Sequence, residues 1–169
     1  MPEHVLQRIE SWVARTGQVF SWLVLVIVVL MATNVLLRYT MSVGSVWAQE
    51  LEWHLLVPLI LLVMSWGIQS GESPRIDVLY ADYPPRKKLR VDLFAEVLTM
   101  AVALMVAWLS VAYVMQSFSI LEGSPDPGGI PYRWVIKALI PLGFAILFVQ
   151  AFAAFFRTLH RYQALDKTQ

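Results

Sequence analysis

Four long apolar stretches consume most of this 169-residue chain. They cover roughly residues 19–37, 55–68 with an approach from Trp47, 97–120 and 138–156. A hydrocarbon core about 30 Å thick takes about 20 apolar residues of helix to cross. The first, third and fourth stretches contain no Asp, Glu, Lys or Arg. Backbone groups exposed to lipid cannot go unpaired, so each stretch reads as a helix. The alternating pattern of an outer-membrane barrel strand is absent. So little chain remains between the spans that a separate soluble domain has no room to form.

Composition agrees with this placement. Charged residues make up 15% of the chain, against about 25% in an ordinary soluble domain. The expected fold is an all-α integral membrane protein with four transmembrane helices and a short N-terminal amphipathic interfacial helix. It forms one domain over residues 1–169. The interfacial helix is expected at about residues 3–15 and the spans at about 17–38, 47–69, 91–121 and 132–157. Val5, Ile9, Trp12 and Val13 recur at helical spacing, which supports a helix lying in the interface. A plain extension of the first span is the alternative. His4, Arg8 and Arg15 precede an apolar run, as in a signal peptide, but the run has spanning length. It reads as a retained anchor.

Lys and Arg are distributed unevenly. Arg8, Arg15, Arg75, Arg86, Lys87, Lys88, Arg90, Arg157, Arg161 and Lys167 fall on one side, and Arg38, Arg133 and Lys137 on the other, ten against three. The positive-inside rule then predicts cytoplasmic termini and a cytoplasmic middle loop. The basic run Arg86-Lys87-Lys88-Leu89-Arg90 is read as facing anionic membrane lipids, with no special ligand. It forms no broad basic surface, so nucleic-acid binding has no support. The outer connection at residues 121–131 holds three prolines and three glycines, which forbid regular structure.

The chain has no cysteine, which excludes thiolate metal sites and cysteine nucleophiles. Of His4, His54 and His160, only His54 lies in or near a span, too few for a bis-histidine haem or a metal site. No cofactor is expected. Hydrolytic triads, phosphate loops and paired catalytic carboxylates are absent, so the chain does not read as an enzyme. The unusual passage is Trp47-Ala48-Gln49-Glu50-Leu51-Glu52-Trp53-His54 at the outer start of the second span. Glu50 and His54 share a helix face. Acids at that depth favour a cationic partner, and Arg38 at the end of the first span is the expected one for Glu50 or Glu52. Pro58 and Pro141 are read as modest kinks rather than ion sites. Thr33, Asn34, Ser65, Gln116, Ser117 and Gln150 lie inside spans and are expected to bond across helices.

Several passages together resemble the small membrane subunit of tripartite ATP-independent periplasmic (TRAP) transporters. Asn34 with Arg38 closes the first span, and Trp47-Ala-Gln-Glu50-Leu opens the second. Pro74-Arg75-Ile-Asp77 follows it, and Glu122-Gly-Ser-Pro-Asp-Pro-Gly-Gly-Ile-Pro-Tyr-Arg133-Trp leads to Lys137 and Gln150. The last passage is similar to a branch labelled by analogy with mannitol or chloroaromatic transport. The resemblance covers essentially the whole chain. It implies a non-catalytic scaffold in the bacterial inner membrane. Its partners would be a large membrane subunit that carries substrate and a periplasmic substrate-binding protein that delivers it. Sodium-coupled uptake of organic acids is the implied activity. Glu50, Glu52, His54 and Arg133 would face the docking side. The alternatives are a membrane anchor for another complex, such as a redox enzyme, and a small homo-oligomeric channel.

Overall fold

The computed structural model describes residues 3–70 and 80–166. The described residues form five long helices: α1 Glu3–Ser21, α2 Leu23–Met41, α3 Val46–Gln69, α4 Pro85–Ser119 and α5 Arg133–Asp166. No strand occurs among the described residues. Among the described residues, four helical stretches are long and apolar enough to cross a membrane: His4–Met41, Val46–Gln69, Pro85–Ser119 and Arg133–Leu165. At about 1.5 Å per residue, α4 and α5 each reach roughly 50 Å, well beyond the hydrocarbon core.

Local sequence explains where these helices begin and end. The Ser45 hydroxyl caps α3 by accepting from the Ala48 N–H at 3.3 Å. Pro85 occupies the first turn of α4, where a missing N–H costs nothing. The α1–α2 join falls later than the 15–17 that the sequence suggests. Nothing near residue 16 stops a helix: the Thr16 hydroxyl donates to the Trp12 carbonyl at 2.9 Å. The interruption comes at Trp22, whose N–H turns back to Val19 O at 3.3 Å, and it lasts a single residue.

Packing runs in series. α5 packs against α4, α3 and α1, α3 against α1 and α2, and α2 mainly against α3. No extensive α2–α4 interface closes a ring among the described residues. The order α2–α3–α5–α4 is therefore an open row, with α1 packed on α3 and α5. The core is small: Val13, Leu62 and Ile146, with Ile9, Phe20 and Trp66 around them. Large apolar side chains elsewhere point out, among them Trp108 and Phe94 on α4 and most of α2. Such a surface suits lipid or another apolar protein.

The polar groups inside the spans do not behave as one class. Asn34 does bond across helices, to Glu52. Thr33 instead donates to Val29 O at 2.7 Å in its own helix. Ser65 and Gln150 are 0% exposed, and neither the serine hydroxyl nor the carboxamide finds a hydrogen-bond partner. A short hydroxyl reaches its own helix carbonyl more easily than a neighbour, which is why the cross-helix expectation fails for Thr33.

Gly17 sets how closely α1 can approach α3. A Cβ at that position would lie 2.5 Å from Trp66 Cβ, whereas one at Gly67 would meet nothing within 4 Å. Gly17→Ala is expected to destabilise the chain by about 1–3 kcal/mol. Gly67→Ala should be neutral or slightly stabilising. Thermal unfolding in detergent compares the two, and equal behaviour would contradict the close approach.

Candidate functional site: a buried acid under the α4–α5 loop

The α4–α5 connection folds from its own turn chemistry. Asp126-Pro127-Gly128-Gly129 closes with Gly129 N–H on Asp126 O at 3.0 Å, and Gly128 has φ 82°. Proline then positive-φ glycine is the arrangement of a type II turn. The Ser124 hydroxyl oxygen accepts from the Asp126 N–H at 3.1 Å. At the loop's base the Arg133 N–H donates to Glu122 O at 2.8 Å. α4 ends in a Schellman motif: Glu122 N–H bonds Ser117 O at 3.0 Å and Leu121 N–H bonds Phe118 O at 3.1 Å.

One turn into α3, Glu50 lies beneath this loop and is only 4% exposed. Its Oε1 accepts from the Ser124 hydroxyl and, at 3.2 Å, from Arg133 Nη2. Its Oε2 accepts from the Ile130 N–H at 2.5 Å. Gly129 makes room for the loop to come this close, since a Cβ there would sit 2.6 Å from Glu50 Oε2 and 2.3 Å from Ser124 Oγ. A carboxylate taken out of water needs such donors, and here a hydroxyl, an amide and a guanidinium supply them.

A second ion pair stands beside the first. Lys137 Nζ donates to Glu122 Oε2 at 2.5 Å and lies 4.1 Å from the centre of the Tyr113 ring. The Lys137 hydrogen bond holds the Glu122 carboxyl below the usual carboxylate range against an opposing desolvation. The Arg133 guanidinium stacks over Trp53 at 5.3 Å. His54 turns Nδ1 to Glu50 O at 2.7 Å, so that nitrogen carries the proton. Asn34 Nδ2 donates to Glu52 Oε1 at 3.2 Å, tying α2 to α3.

The structure thus unites Glu50, His54, Glu122, Arg133 and Lys137, and separates others. Arg38 is exposed, and the pairing expected for it does not form: Glu50 takes Arg133 and Glu52 takes Asn34. Glu50 also cannot present its charge to a docking protein, because the loop covers it. Gln150 is buried within the chain's own helices, away from this cluster. Arg75 and Asp77 lie outside the described residues. Sequence reading missed Ser124, the Ile130 amide and the role of Gly129, although the Ser-Pro-Asp-Pro-Gly-Gly order signals the turn that presents them.

The opposite end carries its own ties. Arg157 pairs with Glu10, and the Thr158 hydroxyl donates to Glu96 Oε1 at 2.7 Å. The basic run is tied back to the chain itself. Arg86 and Arg90 both donate to the Tyr162 hydroxyl at 3.3 Å, and Lys87 sits 3.7 Å from the Tyr83 ring centre. A cavity of about 720 Å³ opens there between α3, α4 and α5, lined in part by Gln69, Lys88, Glu96 and Arg161.

Compared with known families, residues 27–161 match the family model described as "Tripartite ATP-independent periplasmic transporters, DctQ component". No curated protein sequence matches the chain.

The Glu50 tie has a direct consequence. Glu50→Ala should free the 121–132 loop and make it sensitive to chymotrypsin at Tyr132, whereas Glu52→Ala should leave the loop resistant. Digestion in detergent followed by mass spectrometry reads the difference. The Glu122 pair predicts a pH response. Its carboxyl titrates lower folded than unfolded, where the value is about 4.3. Its contribution to stability is therefore complete above that value and is lost as pH falls through the lowered folded value. The parent should lose more thermal stability between about pH 5 and pH 3 than Glu122→Gln does. Parallel losses would remove Glu122 from the account.

Proposed function

From the premise that this chain belongs to the DctQ family, the small membrane components of TRAP transporters, we propose that it is a non-catalytic scaffold subunit. In this reading it braces the large membrane subunit and helps a periplasmic substrate-binding protein to dock. The transporter would take up organic acids by sodium symport, and the chain would belong to the mannitol or chloroaromatic branch, which the Glu122–Arg133 passage resembles. The subunit would sit in the bacterial inner membrane with both termini cytoplasmic, as the ten-to-three Lys/Arg asymmetry favours. Ile9 and Val13, which the sequence places on the interfacial face of α1, pack instead with α3 and α5, and the exposed flank carrying Trp12 and Val19 would meet the interface. The subunit itself would need no cofactor.

The family match over residues 27–161, which takes in more than half of the first apolar stretch and all of the other three, carries this reading. The geometry supports it. The charged groups of the outer cluster are engaged with one another, as in Glu50–Arg133 and Glu122–Lys137. A cluster so satisfied fastens a loop and leaves little capacity for binding a transported ion. Substrate chemistry would then reside in the other subunits.

Purification of this chain from native membranes tests the proposal. A large polytopic subunit should accompany it, and deletion of the chain should abolish uptake while the other two components are still made. Recovery with a haem-bearing or soluble enzyme instead would favour a redox anchor and overturn the transporter reading.

A further inference from the structure

One flank of α4 passes from cationic to wholly apolar. Arg86 and Arg90 stand one turn apart at its start, and both are exposed. Below them, at helical spacing on the same flank, Phe94, Val97, Leu104 and Trp108 are exposed as well. The two guanidiniums converge on one uncharged acceptor. Arg86 Nε and Arg90 Nε and Nη2 all donate to the Tyr162 hydroxyl at 3.3 Å. Arg90 pairs with no carboxylate among the described residues. Asp92, two residues on, projects from nearly the opposite side of the helix, where it accepts from the Tyr80 hydroxyl. A phenol offers two lone pairs and one O–H. The lone pairs of Tyr162 are taken up by the two arginines, and its O–H donates to no described group. Two cations and a free hydroxyl donor thus meet at one point with no anion of the described chain between them.

We propose that Arg86, Arg90 and Tyr162 hold the phosphate of one anionic phospholipid, whose acyl chains lie along the Phe94 and Val97 flank of α4. A phosphate carries several acceptor oxygens and matches the fork of a guanidinium, and its charge relieves the repulsion between the paired arginines. Two observations select a lipid over a soluble anion. The cationic pair leads along one helix flank into exposed apolar side chains, which a free phosphate would leave unused and an acyl chain would cover. The pair also stands where α4 enters its apolar stretch, at headgroup depth, and the Lys/Arg asymmetry favours the cytoplasmic leaflet, whose surface anionic lipids make negative. The site is distinct from the general attraction of the basic run. Lys87 turns to the Tyr83 ring and Lys88 donates to Ala81 O at 3.0 Å, so two members of the run are engaged elsewhere. The site does not depend on which complex the chain joins.

Native mass spectrometry of the full chain, purified with the partners that accompany it and titrated with phosphatidylglycerol, tests the site. The parent should hold one phosphatidylglycerol about tenfold more tightly than the double variant Arg86→Gln, Arg90→Gln, the effect of losing charge-assisted hydrogen bonds. Arg8→Gln with Arg15→Gln removes two exposed charges from the same side of the membrane and should keep the parent affinity. Equal weakening in the two double variants would reduce the effect to diffuse charge, and unchanged binding in the first would remove the site; either result overturns the proposal. Excess inorganic phosphate should leave the lipid bound, and its displacement would assign the site to a soluble anion instead. A photo-crosslinker at residue 97 of the parent, in nanodiscs mixing phosphatidylglycerol with phosphatidylcholine, does not depend on any arginine variant folding. Phosphatidylglycerol adducts in excess of its share of the bilayer support the proposal. Adducts in proportion to the bilayer, or confined to protein, overturn it.

Discussion

The arrangement around the α4–α5 loop depends on one desolvated carboxylate. Glu50 sits a turn inside α3, where water is excluded by a loop that the carboxylate itself holds down. Its donors come from three places along the chain: a serine after α4, a backbone amide seven residues before Lys137, and the first residue of α5. Removing any one donor would leave an acid in a poorly hydrated site, which is costly. The loop, the start of α3 and the start of α5 are therefore fixed together. Apolar packing alone could not fix them, since lipid tails solvate Leu and Val as well as another helix does.

The same logic extends to the far end of α5. Near its start Arg133 and Lys137 engage Glu50 and Glu122, and near its finish Arg157 and Thr158 engage Glu10 and Glu96. Those acids belong to α3, the α4–α5 loop, α1 and α4. Between them α5 buries Ile146, Leu147, Ala151 and Ala153, small or branched residues that allow close approach. Polar ties at both ends and tight packing in the middle make α5 the spine to which most of the other helices attach. The unpaired Gln150 carboxamide lies in that middle stretch, and nothing in the structure accounts for it.

Much of this was legible in sequence, for identifiable reasons. The apolar runs announced the spanning helices because lipid permits no other reading. The loop announced its irregularity through Pro125, Pro127, Pro131 and its glycines, and its turn through Asp-Pro-Gly-Gly. Glu50 announced itself as an acid where acids are expensive. Its partner was not legible. Arg38, Arg133 and Lys137 all lie near the outer boundary, and charge alone cannot choose among them. The choice follows from α3 and α5 being neighbours, and helices apolar on every side carry no record of which neighbour they take. The left-handed backbone of Leu121 (φ 46°) and Tyr132 (φ 61°) at the ends of that loop was hidden for a related reason: the residue types argue against it, so only the closed loop reveals it.

The paired acids of the Glu50-Leu51-Glu52 passage then acquire separate tasks. Two residues along a helix is a rotation of about 200°, so side chains two apart point in nearly opposite directions. Glu50 accordingly reaches the loop and α5, while Glu52 reaches Asn34, the one buried residue of α2. α3 thus serves as a two-sided connector, with α2 attached on one side and the spine on the other. The attachments differ in strength. On the Glu50 side a charge-assisted network is shielded from water, whereas on the Glu52 side a single amide bonds to a less buried acid. α2 is therefore the least secured span of the four, apolar around its circumference and held by one polar tie. Its position in the membrane must depend more on what surrounds it than on the rest of the chain.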